Sequence, residues 1–347
     1  MKNSYRKILL ISEANIKPDK LYVDQMPKLA KGLIRSGHDV RQLSYTSILA
    51  QLSPFKSRSI SQRFYKARVD EKICDFAKHY NPDIVFIGFS RGLDVNTVRA
   101  LREASPSAVF IGWDGDPWPM NNIGRVELGC ELDILFATNN GSFLEDYKRH
   151  GAKKCLFLPN LIDPDNEYRY SVGGEWNSDV LWTGKVQHSP GIEAGEVVRQ
   201  NVLARFAGQP RVSIYGCLGY PQISGIDYLH AISGARIGIS VNAINTVSLY
   251  HSDRFTHYSA CGAMVLAKRV PDTELLMEHK KHVCYFDDED ECKDLVSWYL
   301  QHESERKKIA EAGMAYCHEN FNAVRVTGYM LDAVETGQYK APWGVIS

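Results

Sequence analysis

Short apolar runs alternate with amphipathic stretches along almost the whole chain, and this alternation restricts the fold more than any other feature of the sequence. In the first half, nearly uninterrupted apolar runs such as 84–87 and 109–111 are separated by segments with helical periodicity. Strands separated by such helices form βαβ units with parallel strands, and a strand that is apolar throughout needs helices on both faces of its sheet. The first half therefore predicts a doubly wound, Rossmann-like α/β domain.

A polar, turn-rich segment between residues 162 and 178 interrupts this alternation and reads as an exposed connection between domains. The alternation then restarts, and the pattern from 289 to about 333 is helical with one break around 320–322. We predict an N-terminal Rossmann-like domain (1–165), a C-terminal Rossmann-like domain (176–320) and a terminal helix (321–347) that crosses back to the first domain. Two such domains facing a cleft suit a chain of 347 residues.

Charge and composition exclude several classes of protein. Lys plus Arg and Asp plus Glu number 41 each, so no net charge attracts a nucleic acid at long range. The four apolar residues 8–11 are too few for a signal peptide, and no apolar run approaches the ~18 residues of a membrane span. The eight cysteines form no C-x-x-C pair, which is typical of free thiols in a reducing compartment. We therefore expect a soluble, cytoplasmic protein.

Two loops of the second domain follow predicted strands, at the sheet edge where open parallel sheets bind ligands. In Gly184-Lys185, the glycine lets the backbone approach a ligand, the lysine supplies a positive charge, and the next helix favours a phosphate at its N-terminus. In Tyr215-Gly216, an aromatic side chain can flank a nucleobase. Taken alone, each loop is better explained as an ordinary turn, and the P-loop spacing is absent.

A third loop, Ser252 to Ala263, carries the strongest signal of the second domain. Asp253 can cap a short helix, Arg254 in its first turn can reach a diphosphate, and Gly262 can end the helix before the next strand. The alternative is that Arg254 makes a surface ion pair.

Candidate catalytic residues lie in the first domain, where Asp114 and Asp116 follow a predicted strand and stand among tryptophans. Paired carboxylates at a cleft suit a general base or a sugar-hydroxyl contact, although Asp-Gly and Asp-Pro are also common in turns. The motifs of serine hydrolases and zinc peptidases are absent, and no metal site is predicted.

The run from Arg254 through Ala260-Cys261-Gly262-Ala263 resembles the CgeB/YkvP-type glycosyltransferases, a branch of the GT-B superfamily. The resemblance spans most of the second domain and continues to Ile309–Gly313. It implies two Rossmann-like domains facing a cleft and transfer of a sugar from a UDP-, GDP- or other nucleotide-sugar donor to an acceptor hydroxyl. It also implies no essential metal and a glycan or lipid-linked acceptor, as in the synthesis of bacterial surface polysaccharides or glycoconjugates.

The resemblance also implies roles for particular residues. Such proteins typically read Arg-x-Phe-Glu, in which the Arg binds the donor diphosphate and the Glu commonly binds the ribose; here Thr256 and His257 stand at the last two positions. A histidine can still donate to a ribose hydroxyl or a phosphate. Lys185 and Arg254 would neutralise the leaving diphosphate, and Asp114 or Asp116 would take the acceptor proton if the reaction inverts. The predicted donor site comprises Gly184, Lys185, Tyr215, Gly216, Asp253, Arg254, His257 and Gly262.

Three other functions fit the same sequence: a sugar-nucleotide 2-epimerase, a non-catalytic nucleotide-sugar-binding protein and a DNA-base glycosyltransferase. The third is disfavoured by the neutral charge, despite the basic stretch Lys56–Lys72 with its interleaved Phe64 and Tyr65. That stretch reads better as a solvated helix face or a lipid-headgroup contact, which leaves peripheral membrane association open.

Overall fold

The computed structural model describes residues 5–12, 24–89, 92–115, 123–185 and 193–346. The described residues contain two parallel sheets, one of six strands and one of five, with helices packed around them. The chain thus has the α/β architecture of two Rossmann-like domains that the sequence predicts.

The first sheet has the strand order β2-β1-β3-β4-β5-β6, and all of its neighbouring strands are parallel. Its strands are β1 (Lys7–Ser12), β2 (Asp39–Ser44), β3 (Ile84–Gly88), β4 (Val109–Asp114), β5 (Ile134–Ala137) and β6 (Cys155–Phe157). The helices of this domain are α1 (Gln25–Arg35), α2 (Tyr45–Leu52), α3 (Arg58–Tyr80), α4 (Val95–Ala104), α5 (Ile123–Cys130) and α6 (Ser142–Arg149).

The second sheet has the order β11-β10-β9-β7-β8 and is also parallel throughout. Its strands are β7 (Ser178–Thr183), β8 (Val212–Tyr215), β9 (Ala235–Ser240), β10 (Met264–Lys268) and β11 (Cys284–Phe286). The helices are α7 (Glu193–Ala204), α8 (Gly225–Gly234), α9 (Asp253–Ala260), α10 (Thr273–Leu276), α11 (Glu289–Gln301), α12 (Glu303–Asn320) and α13 (Ala323–Thr336). A short antiparallel pair, β12 (Tyr339–Ala341) and β13 (Gly344–Ile346), follows α13.

The last helix, α13, lies against α1 of the first domain. Gly32 on α1 makes this close approach possible, because a Cβ atom there would lie 2.3 Å from the carbonyl oxygen of Ala323. Leu29 and Leu33 of α1 share one apolar core with Val326 and Met330 of α13. The chain therefore passes from the second domain back onto the first.

The prediction of an exposed connection between 162 and 178 is wrong for its first residues. Ile162 and Glu167 are fully buried, because Ile162 exchanges backbone hydrogen bonds of 2.9 Å with Phe321 and Ala323, and Glu167 pairs with Lys28. Only from Tyr168 onward does the segment become largely exposed. The polar composition of this segment predicts exposure. The Glu167 carboxylate is nevertheless buried, because it pairs with the buried cation of Lys28.

All eight cysteines are free thiols, as the sequence predicts, and six of them are buried. Within the ranges given above, no helix is both long and apolar enough to cross a membrane.

Candidate active site

Two glycine turns meet at the carboxyl edge of the second sheet. The Gly184 amide, directly after β7, donates to the Tyr215 carbonyl at the end of β8 over 3.1 Å. A Cβ atom on Gly216, whose φ is 75°, would lie 1.8 Å from the Gly184 carbonyl oxygen. Only glycine permits both the positive φ and this contact, so three predicted donor-site residues do come together.

Arg254 lies beside these turns. Its Nη2 donates to the Val241 carbonyl over 2.8 Å, and its guanidinium carbon lies 4.3 Å from the Trp182 ring centroid. A Cβ atom on Gly184 would lie 2.9 Å from Arg254 Nη1. Arg254 is thus a half-buried cation at the sheet edge where ligands bind in such folds.

The cap of helix α9 differs from the sequence prediction. Ser252 is the N-cap residue, and Asp253 is the first helical residue instead. The Asp253 carboxylate accepts a hydrogen bond of 2.9 Å from Gln25, so it faces α1 of the other domain. Gly262 ends the helix with a φ of 83°, at the opposite end from Arg254, as a turn residue.

A second buried arginine, which sequence reasoning missed, lies near Arg254. Arg199 is only 3% exposed, pairs with Glu196 and lies 5.3 Å from the Trp182 centroid. Burial and the positive charge of Arg254 lower the pKa of Arg199 to about 10. Among the described residues, Arg199 Nε, Arg254 Nε and Glu196 Oε2 are buried without hydrogen-bond partners. Two cations with one carboxylate leave a net positive charge, which favours the binding of an anion here. The sequence did not reveal this pair, because the i,i+3 spacing of Glu196 and Arg199 is that of an ordinary ion pair on a helix.

Lys185 is exposed and directly precedes residues 186–192, which lie outside the described ranges. Its carbonyl oxygen is 3.4 Å from Arg199 Nη1, so its backbone adjoins the pair Arg199 and Arg254, called here the arginine cluster. How its ammonium group relates to a ligand stays a prediction.

His257 is fully buried, and protein groups contact both of its ring nitrogens. Nδ1 lies 3.0 Å from the Tyr228 hydroxyl, while Nε2 lies 3.0 Å from Lys28 Nζ and 2.8 Å from Glu167 Oε1. Burial opposes ionisation of Glu167, yet the neighbouring His257 and Lys28 lower its pKa to about 2. A ribose contact at His257 would require one of these interactions to break.

Asp114 ends strand β4 and is fully buried. It accepts two hydrogen bonds from Arg125, one of them 2.8 Å from Nε, and one of 2.9 Å from the Tyr147 hydroxyl. Burial and the adjacent carboxylate raise the pKa of Tyr147 well above its usual range, so this hydroxyl stays a donor. Asp116 lies outside the described residues, and its predicted role stays a prediction.

Asn139, two residues after β5, is another polar residue that sequence reasoning missed. Both atoms of its side-chain amide are buried without a partner in the described parts of the chain. The next residue, Asn140, donates its amide to the Ser248 carbonyl of the second domain over 2.8 Å. The Asn139 amide, with no partner in the described residues, therefore lies near the junction of the two domains. In the sequence, Asn139 cannot be distinguished from an ordinary asparagine in a turn.

No group of three or more His, Cys, Asp or Glu side chains within the described ranges is placed to hold a metal ion. Metal independence itself remains a prediction.

Residues 156–332 match the model of the glycosyl transferase-like family, which covers just over half of the 347-residue chain. The matched region contains the whole second sheet, the arginine cluster and all but the last four residues of α13. The protein therefore belongs to the glycosyl transferase-like family. No curated protein matches the sequence significantly.

Three solved structures illustrate the similarity of this fold to known proteins. HepE from Anabaena, in complex with UDP and glucose, has 12% identity and a TM-score of 0.60 over 96% of this chain and 100% of its own. Sucrose-phosphate synthase from Thermosynechococcus elongatus has 13% identity and a TM-score of 0.62 over 95% and 98%. A protein from Listeria monocytogenes, provisionally assigned as a UDP-N-acetylglucosamine 2-epimerase, has 11% identity and a TM-score of 0.55 over 96% and 97%. At such identities the likeness shows the GT-B fold alone.

Proposed function

We propose that this protein transfers a sugar from a nucleotide-sugar donor to an acceptor hydroxyl. The observation that carries the proposal is the half-buried Arg254, which lies against Trp182 and the glycine turns at the carboxyl edge of the second sheet. Family membership supports the same reaction class. The CgeB/YkvP branch is proposed as the subfamily on the motif that begins at Arg254.

In this proposal, the donor diphosphate lies against Arg254, with Lys185 as a second cation and the Tyr215-Gly216 turn beside the base. Cations fixed in place before the reaction stabilise the negative charge that develops on the leaving diphosphate, and a metal ion is then not required. UDP is the first donor nucleotide to test, because HepE was crystallised with it.

The acceptor binds on the side of the first domain. Asp114 is occupied by Arg125 and Tyr147, so we assign the proton-accepting role for an inverting reaction to Asp116 and a loop-positioning role to Asp114. A glycan or lipid-linked acceptor of surface polysaccharide or glycoconjugate synthesis is the proposed acceptor class.

The deciding experiment measures thermal stability with UDP, GDP, CMP and dTDP and with their sugar conjugates. A ligand at ~100 times its dissociation constant should add about 2.7 kcal/mol to the folded state. We expect one nucleotide to stabilise the protein and Arg254→Gln to lose the effect. Arg205→Gln is the matched control, because Arg205 pairs with Asp290 on the surface of the same domain. Absence of stabilisation by every nucleotide would contradict donor binding.

Product analysis then separates transfer from epimerisation. A transferase forms a glycosylated product and releases the nucleotide faster when an acceptor is added, whereas a 2-epimerase forms the epimeric sugar without an acceptor. Conversion without an acceptor would replace the transferase proposal with the epimerase.

A basic aromatic surface on the first domain, defined as Phe55, Lys56, Ile60, Arg63 and Phe64, supports peripheral membrane association. All five side chains are exposed, and Phe64 is 64% exposed. No Asp or Glu occurs between residues 40 and 69, so this stretch of sequence supplies no carboxylate that offsets the positive charge of the surface. Cations combined with exposed aromatic and aliphatic side chains suit an anionic lipid surface.

A further inference from the structure

We propose that helix α1 of the first domain positions the donor-binding Arg254 through a buried two-point contact with helix α9 of the second domain. This contact, called here the α1–α9 clamp, consists of Gln25 with Asp253 and Lys28 with His257 and Glu167. The proposal rests on the proposed function, because it assigns these residues to the control of the same donor site.

The first point of the clamp joins the N-terminal ends of the two helices. Gln25 Nε2 donates to Asp253 Oδ1 over 2.9 Å, while Gln25 Oε1 accepts from the Leu161 amide over 3.1 Å. Gln25 is 5% exposed, so both amide functions are used inside the protein. The Gln25 side chain thus ties the start of α9 to α1 and to the segment between the domains.

The second point lies one turn further along both helices. Lys28 Nζ lies 2.5 Å from Glu167 Oε1 and 3.0 Å from His257 Nε2, and the Tyr228 hydroxyl contacts the other ring nitrogen of His257. Lys28 is 3% exposed, and Glu167 and His257 are fully buried. Because buried charges are costly without their partners, this network tolerates only a narrow range of relative positions of α1 and α9.

The two points bracket Arg254. Asp253 precedes Arg254 and His257 lies three residues after it, so contacts at both positions fix the rotation and the translation of this turn. A shift of about 1 Å at a binding residue is enough to cost up to two orders of magnitude in rate. His257 is therefore a positioning residue for Arg254, although it stands at the position where related sequences place a ribose-binding Glu.

The test compares Lys28→Met with Lys31→Met. Lys31 lies on the same helix and also pairs with the interdomain segment, but within the described parts of the chain its ion-pair partners are Asp163 and Asp165, with Nζ 2.6 Å from each, and not residues of α9. Using UDP, or whichever nucleotide binds the wild type, we expect Lys28→Met to weaken binding roughly tenfold in calorimetry and Lys31→Met to leave it within about twofold.

Hydrogen exchange of the α9 amides separates the possible failures. Faster exchange at 253–260 in Lys28→Met, with weaker nucleotide binding, supports the clamp. Lower thermal stability with unchanged α9 exchange and unchanged binding would overturn it and leave Lys28 a purely structural residue. If no nucleotide binds the wild type, the proposed function fails. In that case, faster α9 exchange in Lys28→Met but not in Lys31→Met would still support the contact between α1 and α9. Unchanged α9 exchange in Lys28→Met would overturn the clamp as well.

Discussion

The guanidinium carbon of Arg254 lies 4.3 Å from the ring centroid of Trp182, and Arg199 reaches the same ring at 5.3 Å. One fully buried indole therefore adjoins two cations that repel each other. Its negative π face offsets part of that repulsion, and such contacts are worth about 0.5–2 kcal/mol.

Replacing Trp182 tests this relationship. We expect Trp182→Leu to weaken nucleotide binding roughly tenfold, since both arginines lose the aromatic face, whereas Trp182→Phe should keep most of the affinity. Titration calorimetry on the folded variants gives the dissociation constants. Equal affinities of the Leu variant and the wild type would show that the indole serves packing alone.

Gly216 and Gly208 form a matched pair for testing the contact between the glycine turns. Their φ values are 75° and 76°, so an alanine suffers similar backbone strain at either position, roughly 1–2 kcal/mol. A Cβ atom at Gly208 meets nothing within 4 Å, whereas at Gly216 it would lie 1.8 Å from the Gly184 carbonyl oxygen. We expect Gly216→Ala to lower the free energy of unfolding more than Gly208→Ala, and to weaken nucleotide binding as well. Similar losses for both variants in denaturant titrations would argue against the close backbone contact.

The unfolding free energy should depend on pH through Glu167. Its pKa falls from an ordinary value of 4.5 to about 2, so its ion pairs stabilise the fold above pH 4.5 and lose that contribution as the pH falls towards 2. A shift of this size corresponds to about 3 kcal/mol. We expect Glu167→Gln to be destabilised at neutral pH, with the difference from the wild type shrinking as the pH falls through that window.

Denaturant titrations at several pH values give this difference directly. Asp165→Asn is the control, because Asp165 is an exposed partner of Lys31 and Arg35 and should contribute little. A gap between the wild type and Glu167→Gln that stays constant with pH would mean that the Glu167 ion pairs do not carry the stabilisation.

Vesicle co-sedimentation tests the basic aromatic surface. We expect binding to vesicles that contain phosphatidylglycerol, weaker binding at high salt, and little binding to phosphatidylcholine alone. The double variant Arg63→Gln with Phe64→Ser should reduce binding severalfold, since it removes a charge and an exposed ring. Phe76→Ser, at the other end of the same helix, should bind like the wild type, and a comparable loss in that variant would contradict the assignment of the surface.

The sequence predicts most of the regular elements because apolar strand runs and helical periodicity are local signals. The apolar runs 84–87 and 109–111 lie in strands β3 and β4, whereas the sequence predicts neither α2 nor the β12–β13 pair. These segments are too short to show a periodic pattern. The β12–β13 pair depends instead on contacts with distant parts of the chain, such as the hydrogen bond that the Tyr339 hydroxyl donates to the Phe157 carbonyl.

The site was only partly predictable for a similar reason. Glycine turns and Arg254 follow strands, so their spacing indicates the sheet edge. The burial of Glu167 and the contact of Lys28 with His257 depend on how two domains meet, and no periodicity in either domain encodes that arrangement. A polar segment rich in turns looks exposed until its partners are known.

The contact between Gly32 and Ala323 also constrains the order of folding. The apolar face of α1 is completed by α13, whose residues leave the ribosome long after those of the first sheet. During synthesis the core around Leu29 and Leu33 therefore lacks its α13 residues until nearly all of the second domain has been made. The two lobes are separate as sheets, but the last helix of the chain completes an apolar core that contains residues of both.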